Sequence, residues 1–215
     1  MPAPPRCKVL LVGVGGQGVL TSAQILGDAA HHAGLQVVVG QLHGMSQRGG
    51  SVECSVLIGP GQSSLVTGEV DLLVGFEPLE VLRALHHAGP RTRVLLNATR
   101  IVPSLLTRAA GDYPDLPQIL AQVCEVTPTA TVVDGPGLVE EAAAPRALNV
   151  VMLGALAGLD ALPLDGDAVR QAVVRRCSPR FAEANLRAFD LGRRWVRQGA
   201  PPAAAGPTRL PLAGS

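Results

Sequence analysis

The apolar residues of this chain begin as a short continuous run and then recur at helical spacing. The first run covers residues 9–12, and its uninterrupted apolar character is typical of a strand that is buried on both faces. A glycine-rich turn follows over residues 13–18, and from residue 19 to residue 33 the apolar positions have helical spacing. Strand, glycine turn and helix in this order predict the first unit of a doubly wound α/β domain.

The same patterns predict further elements along the chain. Strands are predicted at 35–40, 51–58, 70–75, 93–98 and 130–133, and helices at 77–88, 115–123, 147–159, 165–176 and 181–198. Apolar and polar residues alternate over 51–58, which predicts a half-buried strand. We therefore expect one Rossmann-like domain over residues 1–198, with a mostly parallel sheet and a helical C-terminal part. Residues 199–215 lack periodicity and are predicted to be a disordered tail.

Composition narrows the possible functions. A chain of 215 residues that is 47% hydrophobic can build one substantial core. A net charge of +1 argues against nucleic-acid or membrane-surface binding, and an aromatic content of 2% argues against base stacking. The N-terminal residues lack a signal-peptide core, and no apolar run approaches the roughly 18 residues of a membrane helix. We expect a soluble cytoplasmic protein.

The four cysteines, Cys7, Cys54, Cys124 and Cys177, are far apart in the sequence and form no C-x-x-C motif. This spacing predicts neither a zinc knuckle nor an iron–sulfur cluster on this chain, and we expect no metal site. The sequence also lacks an obvious nucleophile–base arrangement, so we assign no catalytic residue.

The glycine turn is the first candidate binding site. Its spacing, Gly13-x-Gly15-x-x-Gly18, leaves backbone N–H groups at a helix start, which suits a phosphate or carboxylate. A nicotinamide site also needs an acidic residue about 20 positions further on, at the end of the second strand. No acidic residue follows Val39 there. A free-standing nucleotide-binding protein is therefore disfavoured, and a turn without any ligand remains open.

Two motifs together carry a resemblance to a known family. GVGGQGV at 13–19, followed by HGMSQRGGSV at 43–52, resembles the γ-type domain of the 2-oxoacid:ferredoxin oxidoreductases. The second motif is most similar to the small subunit of the indolepyruvate-specific branch of that family. NVVMLG at 149–154 and the set Phe181, Asn185, Ala188 and Phe189 also fit, so the resemblance runs from about residue 8 to about residue 198.

The resemblance implies a subunit of an enzyme. In that family a large partner subunit carries thiamine diphosphate and the iron–sulfur clusters. The complex oxidatively decarboxylates a 2-oxoacid, here an arylpyruvate, reduces ferredoxin and forms an acyl-coenzyme A. An equivalent subunit for pyruvate or 2-oxoglutarate is the alternative within the family. We expect no nucleic-acid or membrane partner.

Two loops make up the predicted site. The predicted cofactor-binding residues are Gly13, Gly15, Gly16, Gln17 and Gly18, and the predicted substrate or partner loop contains His43, Gly44, Ser46, Gln47, Arg48, Gly49 and Gly50. Open α/β sheets bind ligands at the carboxyl ends of their strands, so we expect the loops to lie side by side. Arg48 would pair with a carboxylate or phosphate, or with a carboxylate of the partner subunit. His43 and Ser46 would hydrogen-bond the oxoacid, coenzyme A or the partner.

Overall fold

A six-stranded sheet with helices on both faces makes up the described part of the chain. The computed structural model describes residues 5–43, 50–61, 66, 68–100 and 113–199. The strands are β1 (Cys7–Val14), β2 (Val37–His43), β3 (Ser51–Ile58), β4 (Leu72–Gly75), β5 (Arg93–Asn97) and β6 (Ala130–Val133). The helices are α1 (Val19–His32), α2 (Pro78–Ala84), α3 (Leu116–Val126), α4 (Gly135–Glu141), α5 (Leu148–Gly158), α6 (Gly166–Arg176) and α7 (Ala182–Arg197), with 3₁₀ turns at Leu85–His87 and Pro179–Phe181.

The strand order is β2-β3-β1-β4-β5-β6, and only β3 runs against the others. The predicted mostly parallel, doubly wound sheet is therefore confirmed. One feature differs from an ordinary dinucleotide-binding sheet, because β3 is inserted between β1 and β2. The end of β2 is thus displaced by one additional strand, about 4.8 Å, from the glycine turn that follows β1.

The predicted half-burial of β3 is wrong. Ser55 and Leu57, which the alternation assigned to a solvent face, are 6% and 1% exposed. The reason is topological, because an interior strand has a neighbour on each side and layers above and below it. Alternation of residue types reports polarity only, and a small serine is readily buried.

The larger core lies on the face of the sheet covered by α1 and the C-terminal helices, while α2 and α3 cover the other face. The small, apolar helix α5 is buried within this chain and lies against α7. Gly154 and Gly192 permit this close approach, since a Cβ at either position would collide with a backbone carbonyl of the other helix. The sequence left core and subunit interface open for this segment, and the structure makes it core.

Two element boundaries differ from the prediction. No helix is predicted between residues 133 and 147, but α4 begins there: Asp134 caps it by accepting from the Gly137 N–H at 3.2 Å. Proline near a helix start is favourable, so Pro136 is compatible with this helix. The second strand extends to His43, further than predicted. Among the described residues, no helix is both long and apolar enough to cross a membrane. Residues 200–215 of the predicted tail lie outside the described residues.

Candidate functional site at the carboxyl edge of the sheet

The turn between β1 and α1 needs glycine at two positions. Gly16 and Gly18 have φ angles of +101° and +80°, a region that residues with a Cβ rarely adopt. A Cβ at Gly18 would also lie 2.9 Å from the Cβ of Asn149, at the start of α5. The glycines therefore allow the turn to form against α5, which explains part of the motif without any ligand.

The amide groups of this turn are only partly used within the described fold. The Gly15 N–H donates to the Gly50 carbonyl at 2.9 Å, and the Gln17 N–H donates to the Val14 carbonyl at 3.1 Å. Among the described residues, the amides of Gly16, Gly18 and Val19 have no acceptor, and α1 begins without a side-chain cap. Amides at a helix start carry partial positive charge, so this turn is chemically suited to an anionic group.

Gln17 connects the turn to the neighbouring parallel strands. Its side-chain Oε1 accepts from the Val14 N–H at 2.7 Å, and its Nε2 donates to the Phe76 carbonyl at 2.9 Å. The buried Asn97 donates to the same carbonyl at 3.0 Å and accepts from the Gly135 N–H at 3.2 Å. These two carboxamides hold the ends of β1, β4 and β5 together. Gln17 thus has a structural role, while its predicted contact with a cofactor stays a prediction.

The structure brings the two predicted loops together at their ends. His43 is the last residue of β2 and is paired with Val52, and Gly50 receives the hydrogen bond from Gly15. Gly44, Ser46, Gln47, Arg48 and Gly49 lie outside the described residues, so their predicted contacts stay predictions. Gly15 of the first loop and Gly50 of the second are therefore in direct contact, as expected for loops that lie side by side.

Two buried carboxylates at this edge were missed in the sequence. Glu77, 1% exposed, caps α2 by accepting from the amides of Leu79 and Glu80 at 2.8 and 3.1 Å. The hydroxyl of Tyr113 also donates to Glu77, and burial together with this carboxylate raises the pKa of Tyr113 above its ordinary value. The signal was present in the sequence: two acidic residues stand in an otherwise apolar segment, and a buried charge needs partners.

The second carboxylate, Glu80, is 4% exposed and has a partner for each oxygen. Its Oε2 accepts from the Ser51 hydroxyl at 2.5 Å, and its Oε1 accepts from Arg83 at 2.6 Å. Ser51 directly follows the second predicted loop, so this buried carboxylate contacts the end of that loop.

The cysteines do not form a ligand set. Burial raises the pKa of the Cys7 thiol to about 12 and that of Cys54 to about 11, so both stay protonated at neutral pH. Across the described ranges, no three His, Cys, Asp or Glu side chains are grouped so as to hold a metal ion. The residues described do not fit an iron–sulfur cluster, which needs several converging thiolates.

The described residues define an α/β domain with a glycine turn at the carboxyl end of β1, and the acidic residue that a nicotinamide site needs after its second strand is absent from the sequence. The chain belongs to the pyruvate ferredoxin/flavodoxin oxidoreductase family, which it matches over residues 8–195. The resemblance carried by the two motifs is thereby confirmed.

Individual relatives narrow the comparison. The chain is 37% identical to the indolepyruvate oxidoreductase subunit IorB of Archaeoglobus fulgidus, over 92% of this chain and 99% of that protein. It is 36% identical to the subunit of the same name from Methanothermobacter thermautotrophicus, over 86% and 95% of the two chains.

Solved structures share the fold. The γ subunit of a keto/oxoacid ferredoxin oxidoreductase from Geobacter sulfurreducens superposes with a TM-score of 0.69 at 22% identity, covering 91% of this chain and 98% of that one. A 2-oxoglutarate:ferredoxin oxidoreductase from Magnetococcus marinus has a TM-score of 0.71 at 19% identity. This chain covers only 32% of the latter, so the same fold forms one part of a longer polypeptide there.

Proposed function

We propose that this chain is the small subunit of an indolepyruvate-type 2-oxoacid:ferredoxin oxidoreductase. The observation that carries the proposal is the 37% identity with the Archaeoglobus subunit over nearly the full length of both chains. The ketoisovalerate and 2-oxoglutarate relatives are 28% and 24% identical, which favours the arylpyruvate branch.

The proposed complex breaks the bond between the carboxylate and the oxo carbon of an arylpyruvate and releases CO₂. Two electrons leave the substrate for ferredoxin, and the coenzyme A thiol takes the acyl group as a thioester with loss of its proton. Thiamine diphosphate supplies the electron sink for this decarboxylation when it is bound. We place it and the iron–sulfur clusters on a larger partner subunit, since the four cysteines of this chain are far apart in the sequence and two of them, Cys7 and Cys54, are buried.

The contribution of this chain would be to bind and orient the oxoacid or coenzyme A. The amides of Gly16, Gly18 and Val19, which have no acceptor among the described residues, suit the carboxylate of the oxoacid or a phosphate of coenzyme A. The Magnetococcus enzyme, one part of which has this fold, was solved with 2-oxoglutarate, coenzyme A and succinyl-CoA bound. Arg48 would add a cation from the neighbouring loop.

The proposal is tested by purifying the chain from its native host under mild, oxygen-free conditions. The eluate is assayed for a larger partner chain, iron, acid-labile sulfide and thiamine diphosphate. It is then supplied with coenzyme A, oxidised ferredoxin and a panel of 2-oxoacids. We expect a larger partner chain, iron, acid-labile sulfide and thiamine diphosphate to co-purify with it. We also expect indolepyruvate to be oxidised with a higher kcat/KM than pyruvate, 2-oxoglutarate or 2-oxoisovalerate.

Two results would contradict the proposal in different ways. Preference for an alkyl 2-oxoacid would keep the enzyme class and move the chain to another branch of the family. A chain that purifies alone and colourless, and that binds NAD tightly, would instead support a free-standing nucleotide-binding protein.

A further inference from the structure

We infer that Glu80 is a positioning residue that holds Gly50 and Ser51 beside the glycine turn during catalysis. The inference rests on the proposed function, because it assigns a role within that site. Glu80 itself lies in the first turn of α2, on a different element from either loop.

Glu80 is a buried carboxylate in which each oxygen accepts a hydrogen bond. The residue is 4% exposed, and its two oxygens accept from Ser51 at 2.5 Å and from Arg83 at 2.6 Å. Burying a carboxylate is costly, and an apolar side chain would serve the packing of α2 equally well. A charged group at such a position therefore needs a reason other than packing, and its contact with Ser51 provides one.

Ser51 stands at the point where the 43–50 loop joins the sheet. It is the first residue of β3 and is paired with Val14, the last residue of β1. The preceding residue, Gly50, accepts the hydrogen bond from the Gly15 N–H at 2.9 Å. Two neighbouring contacts thus hold the loop end: a backbone bond to the glycine turn and a side-chain bond to α2.

The two contacts differ in how readily they can be lost. The Gly15–Gly50 bond joins backbone groups at the end of a β-ladder, whereas Ser51 is an exposed residue whose hydroxyl donates to the buried Glu80 carboxylate. Hydrogen bonds to ionised groups are stronger than neutral ones, so this bond can restrain a residue that solvent would otherwise leave free. Small displacements of groups that orient a substrate have large effects on rate.

The test uses the assembled two-subunit complex, with kinetics measured while the 2-oxoacid and coenzyme A are varied in turn. We expect Ser51→Ala to lower kcat/KM about tenfold, the equivalent of one charge-assisted hydrogen bond. Glu80→Gln retains an oxygen acceptor for Ser51 but removes the charge, so we expect it to lower kcat/KM by a smaller factor than Ser51→Ala does. Ser178→Ala, an exposed serine at the corner between α6 and α7, is the matched control and should have wild-type kinetics.

A second readout separates positioning from general stability. Amide hydrogen exchange over residues 43–50 is measured in the complex without substrate, and we expect faster exchange in Ser51→Ala than in wild type or Ser178→Ala. Exchange in α5, far from the contact in sequence and in the main core, should stay unchanged.

The outcomes are distinguishable from failure of the proposed function. Unchanged kinetics, or unchanged exchange over 43–50, in the Ser51→Ala complex would overturn the role of Glu80 while leaving an active wild-type enzyme in place. A wild-type complex that oxidises no 2-oxoacid would overturn the proposed function itself.

Discussion

The two ends of the parallel strands, called here the amino edge and the carboxyl edge of the sheet, differ in how fully their hydrogen-bonding groups are paired. At the amino edge, Thr92 and Thr127 are 1% and 0% exposed. The Thr92 hydroxyl donates to the Val70 carbonyl at 2.6 Å and accepts from the Gly89 N–H at 2.9 Å. The Thr127 hydroxyl donates to the Thr92 carbonyl at 2.5 Å and accepts from the Thr129 N–H at 3.2 Å. Each hydroxyl is used as donor and acceptor within the fold.

The carboxyl edge is built with longer side chains and leaves groups unused. Gln17 and Asn97 converge on the Phe76 carbonyl, yet three amides of the adjoining turn have no acceptor among the described residues. The buried hydroxyls at the amino edge are thus fully paired within the fold, whereas the carboxyl edge has hydrogen-bond donors that are available to a ligand. The comparison predicts that polar substitutions at the amino edge affect stability alone, and that those at the carboxyl edge also affect function.

The largest effect on stability is expected at the amino edge, from Thr92→Val. This nearly isosteric change removes both hydrogen bonds and leaves the Val70 carbonyl and Gly89 N–H unpaired, which should lower the free energy of unfolding by about 2–3 kcal/mol. The measurement is the denaturant midpoint of the purified subunit, with activity per folded complex measured in parallel. Thr131→Val is the control, since this half-buried β6 threonine has no side-chain partner among the described residues. A fall in activity per folded complex would contradict a purely structural amino edge.

A smaller loss of stability, with a loss of function, is expected from Gln17→Ala. The variant leaves the Val14 N–H without its acceptor and should lower the free energy of unfolding by about 1–2 kcal/mol. It should also lower kcat/KM of the complex, because the glycine turn is no longer tied to the end of β4. Gln36→Ala, an exposed glutamine before β2 at the other edge, should change neither quantity. Full activity in the Gln17 variant would show that the position of the glycine turn does not affect catalysis.

The smallest effect on stability comes from adding a methyl group at each edge. Gly16 and Gly34 have φ angles of +101° and +75°, and neither has an atom within 4 Å of an added Cβ. Both Gly→Ala variants should lose about 1 kcal/mol from backbone strain. Only Gly16→Ala should raise the KM for the 2-oxoacid or coenzyme A, because it adds a methyl group to the turn in which three amides have no acceptor among the described residues. Equal KM values in the two variants would show that the turn binds no ligand.

Much of the fold could be predicted because its signals are local. The run at 9–12 followed by glycines defined the first strand and turn, and the helices predicted at 115–123 and 165–176 begin within one residue of α3 and α6. Asp115 and Asp165 indeed cap those helices. The glycine turn and the second motif were found in the same way, since each is a short contiguous stretch.

The features that could not be predicted depend on contacts between segments that are distant in the sequence. Polarity alternation could not reveal that β3 is an interior strand, because burial on its second face comes from its neighbours. Asp134 to Gly137 has turn composition, and only the side-chain cap from Asp134 and the packing of Leu138 show that a helix begins there. The helical spacing at 77–88 could not show that Glu80 is buried, because its partner Ser51 lies on β3, 29 positions away.

The sequence by itself determined the order of the elements, the glycine turn at the end of β1 and the resemblance to the oxidoreductase family, because these are properties of contiguous residues. Only the tertiary structure decided that β3 separates β1 from β2, that Gly15 meets Gly50, and that Ser51 reaches Glu80 across 29 positions of sequence. The physical reason is that hydrogen bonds and burial depend on distance in space, and chain folding brings together groups that no local pattern relates.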